Sequence, residues 1–348
     1  MKNFALPEGG SLIRGHMHRF QYKAYRRRFA GEFSNARERF ATREGILVRL
    51  EDGDGRVGFG EVAPIVSFGT ESFASALGVA ESLGEKVELE LVLPELVAYP
   101  CFVWALESAR RQISTEGRWT EISQPWPICG LVSSLHAEEA IEEKLKMHYQ
   151  CLKFKIGKGS LLEELKALDR VMNLSEGKVA IRLDANGMLD YRSAAAWLER
   201  TAELPVEFIE QPLPQGEEQE MRRLAADFPT PLALDESVGS VDDLKRWRDE
   251  QWEGLYVIKP SLCGSLVDLE RELESGAGDC VFSSALETMV GAANAVDFAV
   301  RQRGAARALG FGVESLFADR NIGLDLGPFL QNGGLPSSAS FESLWNLT

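Results

Sequence analysis

Four charged residues recur at a near-constant interval in the middle of the chain. Asp184, Glu210, Asp235 and Lys259 are separated by 26, 25 and 24 residues, and each closes a short apolar run (IRLD, FIE, LALD, YVIK). That is where a β-strand delivers its last side chain. One unit earlier, CLKFKIG places Lys153 and Lys155 at alternate positions of another such run. Residues i and i+2 of a strand share a face, so both ammonium groups project from one side, opposite Leu152, Phe154 and Ile156. Unpaired buried charge is expensive, and two lysines on a core face require anions across from them. A lone Asp after a strand is ordinarily an N-cap or turn residue; a whole series of charged strand ends needs a joint explanation. Three converging carboxylates repel one another unless a cation sits among them. All-oxygen ligation with room for water and substrate suits Mg²⁺, with Mn²⁺ as a substitute. His16, His18, His136 and His148 lie outside the series, which weighs against zinc and leaves them as surface or structural residues.

Such a set suits removal of a proton from carbon. A cation that holds a substrate carboxylate acidifies the α-proton beside it. Burial, a neighbouring ammonium and a divalent ion all disfavour a charged lysine, so one lysine can act as a neutral base near pH 7. Lys153 and Lys155 on one side of the substrate and Lys259 on the other would bracket the reacting carbon.

The elements that position these residues follow a regular rhythm. From Trp126 onward, strand-like runs are expected at 127–131, 152–156, 179–184, 208–210, 232–235, 255–259, 280–284 and 308–313. Amphipathic helices fit between them at 137–148, 161–172, 191–201, 218–227, 241–250, 266–274 and 290–303. The pattern predicts an α/β fold, a (β/α)7β TIM-like barrel whose active site lies at the C-terminal strand ends. Strand two then carries Lys153 and Lys155, strand six Lys259, and strand seven ends on Ser283 and Ser284, the candidate substrate contacts. An open doubly wound sheet would more often carry a glycine-rich phosphate loop after its first strand; none is present.

The first part of the chain reads as an α+β capping domain. A basic, loosely alternating run (12–28) is followed by two strand-like runs (45–50 and 56–61) flanking Asp52-Gly53-Asp54-Gly55, a hairpin signal. EVAPIVSFGT (61–70) reads as a loop, with helices at 71–83 and 99–113. The expected domains are 1–122 for the cap and 123–314 for the barrel, with a tail (315–348) that packs back on the cap.

The 348 residues, 45% hydrophobic, carry a formal net charge of −15 from 53 acidic and 38 basic side chains. Nucleic-acid binding needs a basic surface, so no nucleic-acid partner is expected. The five cysteines form no CxxC pair, as in a reduced cytoplasmic protein. There is no signal-peptide pattern and no membrane span; the most apolar stretch, 280–300, is interrupted by Glu287 and Asp297. The expected partner is a small-molecule carboxylate, and a homo-oligomer is compatible with this composition.

The ordered motifs Lys-x-Lys, Asp-x-Asn, Glu-Gln-Pro, Asp-Glu-Ser and Ile-Lys-Pro, following an α+β cap, resemble the enolase superfamily in its muconate-lactonizing branch. Enzymes of that superfamily use a Lys or His base with one or two Mg²⁺ ions. Within the branch, GFGEVAPIVSFGT (58–70), FSSALET (282–288) and LGFGV (309–313) with Leu316 and Phe317 are similar to the members that dehydrate 2-succinyl-6-hydroxy-2,4-cyclohexadiene-1-carboxylate in menaquinone and phylloquinone biosynthesis. The resemblance implies a carbon–oxygen lyase in which Asp184, Glu210 and Asp235 bind Mg²⁺ and Lys155 is the base. It further implies that Lys153 tunes that base and contacts the substrate carboxylate, that Lys259 stabilises the enediolate from the opposite face, and that Asn186 and Glu236 support the ligands. Two cap loops, around 22–28 and 62–70, would close over the site. A racemase or epimerase acting on N-acylamino acids or dipeptides would need the same lysines. Members that epimerise dipeptides carry Asp-x-Asp at the end of strand eight, where this chain reads Gly310-Phe311-Gly312-Val313-Glu314. A Schiff-base aldolase would use a strand-six lysine but not three carboxylates, and a non-catalytic acid-binding barrel needs no ammonium on both faces.

Overall fold

The computed structural model describes residues 16–34, 39–276, 278–302, 307–319 and 321–348. Polar–apolar alternation from Met17 onward produces a long strand, β1 (Met17–Ser34), paired antiparallel with β2 (Arg39–Glu51). The Asp52–Gly55 turn returns the chain into β3 (Val57–Val62). Asp52 Oδ1 accepts from the backbone N–H groups of Asp54 and Arg56 at 2.9 Å each. Then come α1 (Phe73–Ser82), β4 (Lys86–Glu88), α2 (Leu89–Val92) and α3 (Pro100–Ser114), the sheet running β3-β2-β1-β4. The sequence predicts no element between 83 and 99, because β4 and α2 are too short to show a period. Gly58 and Gly60 set the packing of this unit. A Cβ on either would lie 1.9 Å from the carbonyl oxygens of Ala109 or Ala105, so only glycine lets α3 lie directly on β3.

The run 22–28 is not a loop over the site but the interior of β1, where Tyr25, Arg27 and Phe29 face inward and Arg26 and Arg28 face solvent. The period of two overrides the basic composition: the three consecutive arginines are split between faces.

The barrel alternates β5 (Trp126–Val132), α4 (Glu138–Lys146), β6 (Cys151–Lys155), α5 (Leu161–Ser175), β7 (Ala180–Asp184), α6 (Tyr191–Thr201), β8 (Val206–Glu210) and α7 (Glu218–Asp227). It continues with β9 (Leu232–Leu234), α8 (Val241–Asp249), β10 (Leu255–Ile258), α9 (Leu266–Glu274), β11 (Cys280–Phe282), α10 (Met289–Arg301) and β12 (Leu309–Gly312). These are the eight strands and seven helices expected, with ends displaced by at most three residues; the expected last residue of the final helix, 303, lies outside the described residues. The strands are parallel in the order β11-β10-β9-β8-β7-β6-β5-β12. The ring closes through β12 on β5 and a Ser283–Gly310 bridge. Gly310 permits that closure, since a Cβ there would meet Ser283 Oγ at 2.6 Å.

The remaining chain adds β13 (Phe329–Leu330), antiparallel to β5, and α11 (Ser338–Leu347). The Phe341 and Trp345 rings of α11 stand 5.8 and 6.1 Å from that of Phe59, and Lys23 Nζ donates to the Trp345 carbonyl at 2.6 Å. No helix among the described residues is long and apolar enough to cross a membrane.

Buried charges tie the antiparallel sheet to the barrel. Glu61, at the end of β3, accepts from Tyr25 Oη (2.5 Å) and from the Thr288 and Gly291 N–H groups (2.9 Å each), as well as from the Thr288 hydroxyl. A carboxylate at the first turn of α10 faces unpaired N–H groups and the positive end of the helix dipole. Arg43 donates to the Ala63, Pro64 and Ala285 carbonyls at 2.5, 2.6 and 3.0 Å. Glu61→Ala should destabilise the protein by about 3 kcal/mol, since it strands several buried donors at once. Urea denaturation measures this; a loss below about 1 kcal/mol would mean that those donors find other acceptors.

Candidate active site

The strand ends deliver their charges into one cavity. Lys153 and Lys155 project from β6, in register with Arg182 and Asp184 of β7, and Asp184 is in turn the register partner of Glu210 on β8. Asp235 and Lys259 follow directly after β9 and β10. The carboxylates of Asp184, Glu210 and Asp235 are buried and offer oxygens that all lie within 4.8 Å of one another. Lys153 Nζ sits 2.7 Å from Asp184 Oδ2 and 2.6 and 2.7 Å from the two Glu210 oxygens. Lys155 Nζ donates at 2.6 Å to both Asp184 Oδ2 and Asn186 Oδ1. On the far wall Lys259 pairs with Asp235, and its Nζ stands 4.4 Å from the Phe68 ring centre.

The turn after β7 is built for this. Asn186 adopts φ 46°, a left-handed conformation that Asn tolerates better than most residues. Its N–H donates to Asp184 Oδ1 at 3.0 Å, and its Nδ2 to Glu236 Oε1 at 2.9 Å. Gln211, which the sequence reading named only within a motif, turns away from the cavity. Its Oε1 accepts from the Asp235 and Ser237 N–H groups at 3.0 and 3.2 Å, fixing the chain that presents Asp235.

Burial and charge shift these groups in opposite directions. Burial, with Asp184 beside it, pushes Glu210 up to about 8. Burial also raises Asp235, opposed by Lys259 and reinforced by Glu236. Burial would raise Asp184 too, but Lys153 and Lys155 hold it well below the usual carboxylate range. Lys153 is held well above its ordinary value, because Asp184, Glu210 and Asp235 outweigh its own desolvation.

The donor set fits a hard divalent cation. With Glu236, four carboxyl groups and three lysines are gathered around one site. Glu236 Oε2 is buried and has no hydrogen-bond partner among the described residues. Clustered carboxylate oxygens are what Mg²⁺ requires.

Both candidate serines line the cavity, together with Phe68, Leu131, Leu286 and Leu316. Ser284 is committed to its own turn: its hydroxyl donates to Glu287 Oε2 at 2.6 Å and accepts from Leu286 N at 2.8 Å. Ser283 makes one long bond to the Gly310 carbonyl, 3.2 Å. Glu314, the acidic residue past strand eight, is paired with buried Arg27 at 2.8 Å and is not free to hold a substrate ammonium. Arg27 also reaches Asp319 at 3.0 Å and lies 3.6 Å from the Phe317 ring centre. Glu61 and Glu287 were not singled out from sequence, and Arg27 was expected only as part of a basic loop over the site. The available signal was one acid in each of two apolar motifs (GFGEVAP and ALETMV), but nothing local names their partners.

A family model described as Enolase C-terminal domain-like matches residues 136–271, and one described as MenC, N-terminal domain, matches residues 25–113. The chain is 33% identical over 302 residues to the o-succinylbenzoate synthase of Thermosynechococcus vestitus, covering 85% of this chain and 92% of that one. It is 23% identical to the L-Ala-D/L-Glu epimerase of Bacillus subtilis, over 90% of each chain. The crystal structure of o-succinylbenzoate synthase from Thermosynechococcus elongatus, complexed with Mg in the active site, matches with a TM-score of 0.81 at 30% identity, over 95% of this chain and all of that one. Fold and site together define a barrel enzyme of the enolase superfamily. Within it, the chain belongs to the o-succinylbenzoate synthase family.

A cation that takes Glu210 as a ligand would displace the proton this carboxyl holds below its raised pKa of about 8. Mg²⁺ should therefore raise Tm more at pH 8.5 than at pH 6.5. Thermal melts with and without MgCl₂ check this, and equal shifts at both pH values would exclude Glu210 from the binding site.

Proposed function

We propose that this protein is a Mg²⁺-dependent o-succinylbenzoate synthase that converts 2-succinyl-6-hydroxy-2,4-cyclohexadiene-1-carboxylate to 2-succinylbenzoate and water. The observation that carries this reading is the placement of Lys155 and Lys259 on opposite walls of one cavity, with the carboxylate cluster between them. Membership of the family makes the dehydration the favoured chemistry for that geometry. The quinone pathway and a cytoplasmic setting follow from the same reading, and unpaired cysteines suit a reducing compartment.

Asp184, Glu210 and Asp235 would hold the ion, which when bound draws charge onto the substrate carboxylate and acidifies its α-proton; Mn²⁺ would serve in its place. Lys155, oriented by Asp184 and Asn186, takes that proton. It can do so only as the neutral amine, while Asp184 and Glu210 keep Lys153 an ammonium. Lys259 presents its ammonium to the negative charge that develops on the other face. If the hydroxyl leaves from the face that Lys155 occupies, the same lysine returns its proton, and the elimination releases one water. Aromatisation drives this second step, so the site's main task is to stabilise the first. Apolar Phe68, Leu131 and Leu286 keep bulk water from the reacting carbon. Ser283, with the freer hydroxyl of the two serines, is the better candidate to contact substrate.

Incubation of the purified protein with the cyclohexadiene should yield 2-succinylbenzoate with Mg²⁺ and not with EDTA. Lys155→Ala should lower kcat by about 10³-fold or more while circular dichroism shows the fold intact. Wild-type turnover in that variant would refute Lys155 as the base. In D₂O, α-deuterium appearing in N-succinyl amino acids without turnover of the cyclohexadiene would replace the dehydratase reading with a racemase.

A further inference from the structure

Beneath the carboxylates, the barrel interior holds two groups that the proposed dehydration does not use. Cys129 on β5 and Cys151 on β6 are direct partners in the parallel ladder, and both are buried. Their sulfurs lie 3.2 Å apart. Cys151 shares its face with Lys153 and Lys155, two and four residues further along β6. Cys129 lines the active-site cavity. Cys151 lines a different cavity of about 420 Å³ at the N-terminal end of the strands, with Glu207, Asp279 and Arg307. Each cysteine thus borders a cavity, one at either end of the barrel.

The surroundings favour one thiolate. Arg182 of β7 is buried and pairs through Nε with Glu207 at 2.7 Å, but its Nη2 has no hydrogen-bond partner among the described residues. Glu207 Oε2 lies 3.9 Å from Cys151 Sγ. Burial alone would raise Cys129, yet the hydrogen bond from Cys151 and the Arg182 charge bring it below its ordinary value. Cys151, as the donor to Cys129 and itself buried, is held well above. Cationic groups beside a cysteine favour its reactive thiolate.

We propose that Cys129 and Cys151 form an oxidative modification site, where a small two-electron oxidant of the peroxide class closes a cross-strand disulfide that reversibly switches catalysis off. The Cys129 sulfur attacks one oxygen of hydrogen peroxide and becomes a sulfenic acid, and the other oxygen leaves as water with the thiol proton. The Cys151 sulfur then displaces the sulfenic hydroxyl, which departs as a second water with the Cys151 proton. Two thiols and one peroxide give one disulfide and two waters; the sulfur pair loses two electrons and the peroxide gains them. Neighbouring strands lie about 4.8 Å apart, within the roughly 4.4–6.8 Å Cα separation that disulfides span. The sulfurs must close from 3.2 Å to about 2.0 Å, at the residue two positions before Lys153 on β6. A displacement of about 1 Å at reacting groups can cost on the order of 10²-fold in rate.

The test uses the full-length Mg²⁺-loaded protein and hydrogen peroxide in modest excess. Two of the five thiols should disappear, and a peptide map should show Cys129 joined to Cys151. The dehydration rate should fall at least about tenfold and return with dithiothreitol. Cys151→Ala should start at the wild-type rate and keep it under peroxide; Cys151→Ser, with a matching Tm, replaces it if the alanine variant folds poorly. The proposal is overturned by absence of the linked peptide, by a linked protein of unchanged rate, or by equal peroxide sensitivity in the variant. The rate arm rests on the proposed dehydration, whereas the peptide map does not. A protein that forms the disulfide but never dehydrates the cyclohexadiene would sink the function and keep the site.

Discussion

The structure depends on a concentration of like charge that an ordinary protein interior would reject. Three buried carboxylates within 4.8 Å of one another can coexist only with cationic partners at close range. The chain supplies three ammonium groups of its own, each seated on a carboxylate at the end of a β-strand. Barrel geometry makes this feasible. Each of these strands carries its charge at the mouth, above interior apolar side chains that include Phe208, Val257 and Val281. The clustered carboxylate oxygens still suit a divalent cation, and the lysines differ in their seats. Lys153 is locked between two carboxylates, whereas Lys155 shares one carboxylate with an amide.

A second set of buried charges keeps the cavity in shape. Glu61, Arg43 and Arg27 each leave the antiparallel sheet and end on the barrel, on the first turn of α10, the Ala285 carbonyl and the 314–319 segment respectively. All three ties surround the segment between β11 and α10 or the one after β12, which supply Ser283, Leu286 and Leu316 to the cavity wall. Phe68 reaches Lys259 from the sheet side, and Gly239 admits the approach: a Cβ there would meet the Phe68 carbonyl at 2.1 Å. The two parts of the protein therefore share the site, and buried polar contacts of this kind hold position more strictly than apolar packing does.

What the sequence determined by itself was everything written with a short period or a regular interval. The eight barrel strands and seven helices were legible because each apolar run and each amphipathic stretch carries its own pattern. The charged strand ends were legible because the βα repeat spaces them evenly. The hairpin at Asp52–Gly55 announced itself through turn chemistry. What only the tertiary structure decided was which distant groups meet. The run 22–28 became strand because its alternation found a partner in β2, a pairing that composition does not reveal. Glu61 and Thr288, or Arg27 and Glu314, are joined across more than two hundred residues of chain, and no local signal encodes such a contact. Cys129 and Cys151 looked like scattered small residues until strand register set them side by side. Strand ends can be read from periodicity, since local sterics and burial fix them; register and closure cannot, because they arise only when the whole ring is packed.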